Sequence, residues 1–178
     1  MSEVPEGMSL GPQERRPPRP TATMTMTRDG ERGIEVLLGL RSETMAAFPG
    51  YWAFPGGGLS RVDAAAVEEL EGFEGPEAKA IACILREMSE ELGLAPSEHG
   101  LVALPIEARK EIVADKSRYL PLALEGAFPY DTRSLRVLSH RITPPFGPIQ
   151  FDNAFMHLHT GLAKDVPEIL LDPQTAFT

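Results

Sequence analysis

From residue 22 to residue 27 threonine alternates with methionine and alanine, placing Thr23, Thr25 and Thr27 on one side. A period of two predicts a strand. Arg28-Asp29-Gly30 supplies a turn, and residues 33–40 (GIEVLLGL) read as a second strand, so the pair suggests a hairpin. A loop through Phe48-Pro49-Gly50 leads into the short stretch 51–54, and Pro55-Gly56-Gly57-Gly58 then breaks the pattern. Residues 63–70 fit a short helix inside an acidic, Ala- and Gly-rich stretch, 60–76. The clearest helix spans 77–92: Pro76 stands at its start, Glu77 suits the positive end of its dipole, and Gly93 stops it. On that helix Ile81, Ile84, Leu85, Met88 and Leu92 fall within about 100° of one another, the usual core-facing stripe. A second helix is expected over 105–123, a strand over 135–139, a rigid loop over 143–148 and a last strand over 151–160. Beyond Gly161 there remain Pro167, Pro173 and a mild apolar patch. The chain shows no internal repeat.

Composition narrows the partners. A chain of 178 residues implies one domain, expected over 21–178. Residues 1–20 carry Pro5, Pro12, Pro17, Pro18 and Pro20 with nothing to bury, so they read as a flexible Pro-rich tail. The formal net charge of −9 argues against a general nucleic-acid binder, which needs clustered Lys and Arg. It leaves room for a small phosphorylated substrate whose charge a metal ion meets locally. The single cysteine, Cys83, allows no intramolecular disulfide and fits a reducing compartment. No apolar run reaches the length of a membrane span, and no signal-peptide core is present. A cytoplasmic protein without a membrane partner is expected.

One feature of the 77–92 helix points to chemistry. Glu87, Glu90 and Glu91 share a sector roughly 130° from the centre of the apolar stripe. Like charges at i, i+3 and i+4 repel, and acids near a helix C-terminus oppose its dipole. On charge alone a solvated acidic face is the commoner explanation. A cation would relieve both penalties, and oxygen-only ligands suit Mg²⁺ or Mn²⁺. Arg86 lies four residues before Glu90 and can orient it.

The whole string decides between these readings. Arg86-Glu87-Met88-Ser89-Glu90-Glu91-Leu92-Gly93-Leu94, preceded by Phe54-Pro55-Gly56-Gly57, resembles the Nudix box, whose second half is Arg-Glu-apolar-x-Glu-Glu-x-Gly-apolar. The resemblance covers roughly 22–160 and implies an α/β/α sandwich around a mixed sheet. It also implies hydrolysis of the diphosphate linkage of a nucleoside diphosphate derivative with Mg²⁺ or Mn²⁺. It assigns Glu90, Glu91 and the Gly57 carbonyl to the metal, Glu87 to the metal or to the attacking water, and Arg86 to holding Glu90. The general base stays open between Glu87 and a carboxylate from elsewhere, such as Glu125 or Asp152.

The box departs from the family pattern in its middle. Twenty-eight residues separate Gly57 from Arg86 where the family has thirteen, an insertion of fifteen that falls approximately at 60–76. The first glutamate of the box, eight before the arginine, falls on Ala78, with Glu77 one place away as a possible substitute. An inserted box is similar to the peroxisomal acyl-coenzyme A diphosphatases of animals. Similar too are the sequence 81–87 and Arg141-Ile142-Thr143-Pro144 followed by Phe151-Asp152. Leu37, Leu38, Arg41, Ser42, Gly50 and Phe54-Pro55-Gly56-Gly57 stand in register with a coenzyme A signature, although Gly39 replaces its Thr and Ala46 its second Arg. Coenzyme A or acyl-coenzyme A is therefore the leading substrate. ADP-ribose, a nucleotide sugar, or non-catalytic nucleotide sensing are the rivals. Arg41 is a candidate for a phosphate contact and Trp52 for stacking on a base.

The remaining candidates carry less. His157 and His159 share one strand face but lack a third ligand, His99 and His140 are expected at the surface, and Cys83 is expected to be an ordinary buried thiol. The family usually adds a strand or helix after this last strand, so with few residues following it the resemblance implies a short closing element, one supplied by the partner chain of a homodimer, or a shortened form of the chain.

Overall fold

The computed structural model describes residues 17–44, 49–144, 149–162 and 175–177. Most of the Pro-rich tail, Ala46, four residues of the 143–148 loop, Pro167 and Pro173 lie outside these.

The alternating segment becomes β1 (Arg19–Gly30), which pairs antiparallel with β2 (Gly33–Leu40). The pairing runs through Gly30↔Gly33, so the reversal sits at Glu31-Arg32, two residues later than expected. On its other side β1 runs parallel to β8 (Phe151–Leu162), in the register Thr25↔His157. β7 (Arg136–Ile142) lies antiparallel outside β8, and β3 (Trp52–Ala53) outside β2. The order β3-β2-β1-β8-β7 is thus a mixed sheet, with β9 (Thr175–Phe177) also on β2. The Gly56–Gly58 run expected to be a break is itself strand β4, paired with β1 at Ala22↔Gly57. Strand periodicity holds: Ala22, Met24 and Met26 are buried with Ala154, Met156 and Leu158, while Thr21 on the opposite face donates to Asn153 Oδ1 at 3.0 Å. Each of the buried methionines and Leu158 contributes about 1.5–3 kcal/mol by leaving water, and the alanines less.

Helix α1 (Arg61–Glu69) packs on α2 (Ala78–Glu87), and α2 packs on β1. Enclosed on both sides, α2 is buried around most of its circumference, at Ala78, Ala80, Ala82, Cys83, Ile84, Leu85 and Arg86. Of the expected stripe, Ile84, Leu85, Met88 and Leu92 are buried and Ile81 is half-buried. The helix does not run evenly to residue 92. It widens into a π-helical turn, Met88–Leu92, and ends at Gly93, whose N–H donates to the Met88 carbonyl at a left-handed φ of 65°. π turns recur at functional sites because they re-aim side chains.

A hairpin that periodicity did not reveal follows, β5 (Leu94–Ser97) with β6 (Gly100–Ala103). The helix expected over 105–123 is two: α3 (Ile106–Ala114) and α4 (Tyr119–Leu124). Between them Asp115 accepts a hydrogen bond from the Ser117 N–H at 2.9 Å, which competes with the helical ladder and stops α3. The outcome is the mixed α+β fold expected, with four α-helices among the described residues and a mixed sheet. No described helix is long and apolar enough to cross a membrane.

Candidate functional site

The carboxylates of α2 and its π turn meet the glycine strand β4. Gly57 approaches Glu87 so closely that a Cβ at residue 57 would collide with the Glu87 carboxylate. The Gly56 N–H donates to Glu91 Oε2 at 3.2 Å, and the Cys83 thiol faces the Gly57 carbonyl at 3.7 Å. Glu87 thus lies against Gly57 and Glu91 against Gly56, across thirty or more positions of the chain.

Arg86 organises the centre. Only 1% of it is exposed, and no nitrogen of its guanidinium is idle. Its Nε donates to Asp63 Oδ1 at 2.7 Å and one terminal nitrogen, Nη2, to Asp63 Oδ2 at 3.2 Å. The other, Nη1, donates to Glu87 Oε1 at 2.8 Å and Glu90 Oε1 at 2.9 Å. Its expected bond to Glu90 is present, and one to Glu87 is added. Burial disfavours the charge on Arg86, but Asp63, Glu87 and Glu90 more than restore it and hold its pKa above the ordinary value.

Asp63 is the residue that sequence reasoning missed. It is 1% exposed, in the first turn of α1, and the Ser60 N–H and hydroxyl both donate to its Oδ2, at 2.7 and 2.9 Å. Its one signal was a Ser three residues ahead of an acid, a helix-start pattern that also fits an ordinary cap. Glu77, the other acid considered for this region, does not reach Arg86: it takes a hydrogen bond with His140 Nε2 at 2.8 Å.

Electrostatically the site holds too much negative charge. Burial raises the pKa of Glu87, with Arg86 opposing and Glu90 adding to the rise. Glu91 opens toward solvent at its end, yet its carboxyl is also raised, first by desolvation and then by Glu87, against the Gly56 N–H and the charge of Arg41. Burial likewise pushes the Cys83 thiol up, which makes it a poor nucleophile and fits the buried-thiol expectation.

The other candidates separate into near and far. The charge of Arg41 reaches Glu91, and Trp52, paired with Leu40 at the end of β2, is 49% exposed. Asp152 faces His140 at 3.7 Å, and Glu125 caps α4; neither forms a hydrogen bond or ion pair with Arg86 or the three glutamates. His157 and His159 are both bonded to Thr27 Oγ1, at 2.8 and 3.0 Å, in line with their structural reading. Among the described residues, no three His, Cys, Asp or Glu side chains converge as a ready-made metal cage. The reason is visible in the bonds: Arg86 engages Glu87 and Glu90, and Gly56 engages Glu91.

No protein-family profile and no curated protein matches this chain. Solved structures do. A NUDIX hydrolase from Alicyclobacillus acidocaldarius is similar with a TM-score of 0.74 at 24% identity, over 91% of this chain and 79% of that one. The NUDIX domain of Shewanella oneidensis NrtR, solved complexed with ADP ribose, is similar at 0.51 and 12% identity, over 93% and 75%. A MutT/nudix family protein from Enterococcus faecalis is similar at 0.50 and 17%, over 99% of this chain and 46% of the other. The chain shares their fold.

Proposed function

We propose that this protein is a Nudix diphosphatase that hydrolyses the diphosphate linkage of a nucleoside diphosphate derivative with Mg²⁺ or Mn²⁺. The observation that carries the reading is that Glu87 and Glu90 share Arg86 while Glu87 and Glu91 lie against the glycines of β4, within a Nudix fold.

The donor set fits a hard divalent ion. Every donor is an oxygen, and Arg86 is shared by three carboxylates, Asp63, Glu87 and Glu90, while Glu91 is bonded to the Gly56 N–H. Glu90, Glu91 and the Gly57 carbonyl would hold it, with Glu87 as a further ligand or as the group that orients the attacking water. Such an ion, when bound, neutralises charge on the diphosphate and lowers the pKa of a water. In the reaction a water oxygen forms a bond to one phosphorus, the bridging P–O bond breaks, and the leaving phosphate keeps the electron pair. This chain's own residues fix the geometry: Arg86 holds Glu87 and Glu90, and the Gly56 N–H holds Glu91. Arg41, close enough to act on Glu91, would meet a phosphate, and the half-exposed Trp52 would offer its ring to a base.

Coenzyme A or acyl-coenzyme A is the leading substrate, giving 3′,5′-ADP and (acyl)phosphopantetheine. Support comes from the signature that runs from Leu37 to Gly57 and from the inserted 60–76 segment. A second substrate, ADP-ribose, is favoured by one fold relative that was solved with it. We place the enzyme in the cytoplasm. The test is a panel of coenzyme A, acetyl-coenzyme A, ADP-ribose, NADH and a nucleotide sugar, with Mg²⁺ or Mn²⁺ and with EDTA. Release of 3′,5′-ADP that EDTA abolishes is the expected result. Cleavage of ADP-ribose alone would keep the enzyme and discard the coenzyme A reading. Undiminished turnover by the Glu90→Gln, Glu91→Gln double variant would sink the assignment altogether.

A further inference from the structure

The acid that fixes Arg86 comes from neither α2 nor its π turn. It is Asp63, on α1, reaching Arg86 across 23 positions in sequence. We propose that Asp63 is a positioning residue for the metal-binding carboxylates and acts on them through Arg86; this rests on the metal reading given above.

Geometry carries the inference. A guanidinium is planar and rigid, so a two-point grip on one edge determines where its remaining nitrogen points. Asp63 takes Nε and Nη2, at 2.7 and 3.2 Å, and Nη1 is thereby aimed at Glu87 and Glu90, at 2.8 and 2.9 Å. Asp63 is itself immobilised by two donors from Ser60, in the first turn of α1. No neighbour on α2 offers a substitute. The residue two turns before Arg86 is Ala78, and Glu77 is committed to His140. Glu91, in contrast, takes its hydrogen bond from Gly56 and none from Arg86, so the influence of Asp63 should fall on Glu87 and Glu90. The segment 60–76 then has a job in the site, as the mount of the acid that sets the angle of the arginine.

A purely structural Asp63 would stabilise the fold and leave the metal affinity of folded protein untouched, so the readout is Mn²⁺ binding by titration calorimetry on the full chain, beside a thermal melt. Asp63→Asn should retain a cooperative melt and bind Mn²⁺ about tenfold more weakly, the low end of what losing a partner behind a ligand does. Arg86→Gln should also weaken binding, and Asp63→Asn added to Arg86→Gln should cost nothing more, since the two act in series. This last comparison decides the matter if Asp63→Asn alone fails to fold, because the paired variant removes both members of the buried Arg86–Asp63 ion pair instead of orphaning one. An Asp63→Asn protein within about twofold of wild-type Mn²⁺ affinity overturns the proposal, as does a further several-fold loss from Arg86→Gln to the pair. If wild type and Glu90→Gln, Glu91→Gln bind Mn²⁺ alike, the metal reading itself is wrong and Asp63 loses its proposed role with it.

Discussion

Tyr119 Oη is a buried side-chain polar atom with no hydrogen-bond partner among the described residues. Its ring is packed at 1% exposure with the Phe128 ring centroid 5.6 Å away, so the position is an aromatic core site that carries a surplus hydroxyl. Burial drives the phenol's pKa upward, with the charge of Asp63 adding to the rise and Arg86 opposing it. Tyr119→Phe should keep the packing and remove the penalty, raising stability by up to about 1 kcal/mol. A urea or thermal melt measures it, and a clear loss of stability would mean that the hydroxyl is satisfied by a buried water. Asp63 shows the opposite case, a buried charge fully engaged. Neither fate was legible in the sequence. Asp63 stands in a segment with Glu68, Glu69, Glu71 and Glu74, and nothing local says which acid folds onto an arginine 23 residues away. Arg86, Glu87, Glu90 and Glu91 were legible because they form a dense string at fixed spacing, and Gly57 because it closes the run Phe54-Pro55-Gly56-Gly57.

At the scale of the element, the carboxylate-bearing segment depends on how α2 ends. Gly93 has φ 65°, caps the π turn through its N–H, and accepts from the Leu104 N–H at 2.9 Å. A Cβ there would also press on the Arg109 side chain, whose Nη2 donates to the Glu91 carbonyl at 3.0 Å. Gly93→Ala should destabilise the protein by about 1–3 kcal/mol, the range for a non-glycine residue held in a left-handed conformation. Denaturant unfolding would show it, and an unchanged midpoint would mean that the turn relaxes into another cap. Gly93 as a stop was readable, because glycine at a helix end has one common meaning. The π widening was not, since it changes no residue type and shifts only the register of the backbone bonds. The split of the expected 105–123 helix was half-written: Asp115 and Ser117 are turn formers, but their side-chain bond had to be seen to outweigh helix propensity.

Across the molecule, His140 ties β7 to the start of α2. Its Nε2 meets Glu77 at 2.8 Å and its Nδ1 lies 3.7 Å from Asp152. The hydrogen bond to Glu77 raises the histidine's pKa against a small desolvation effect, and Asp152 adds to the rise. A raised folded pKa gives stability that is complete below the unfolded histidine value, near 6.5, and fades as pH rises through the folded value. The pair is partly exposed, so the contribution is about 1 kcal/mol at most. His140→Gln should therefore lower the melting temperature at pH 5.5 and leave it unchanged at pH 9. A deficit that grew toward alkaline pH would rule out the ion pair as the cause.

The same scale governs how a polyanionic substrate reaches the site. The chain carries a formal −9, so its long-range field repels a diphosphate, and capture must rely on local charge: Arg41 beside Glu91 and the proposed divalent ion. Salt acts differently on these two contributions. Between about 0.1 and about 1 M the Debye length shrinks from about 10 to about 3 Å, which erases the distant repulsion while leaving contacts at bonding distance mostly intact. At saturating Mg²⁺, KM for whichever diphosphate the panel identifies should therefore stay level or fall as potassium chloride is raised. An enzyme steered by a basic surface would do the reverse, with KM climbing steeply over the same range. A several-fold rise would show that a concentrated positive patch outweighs the net charge. The level or falling curve would assign phosphate capture to the few groups at the mouth of the carboxylate site.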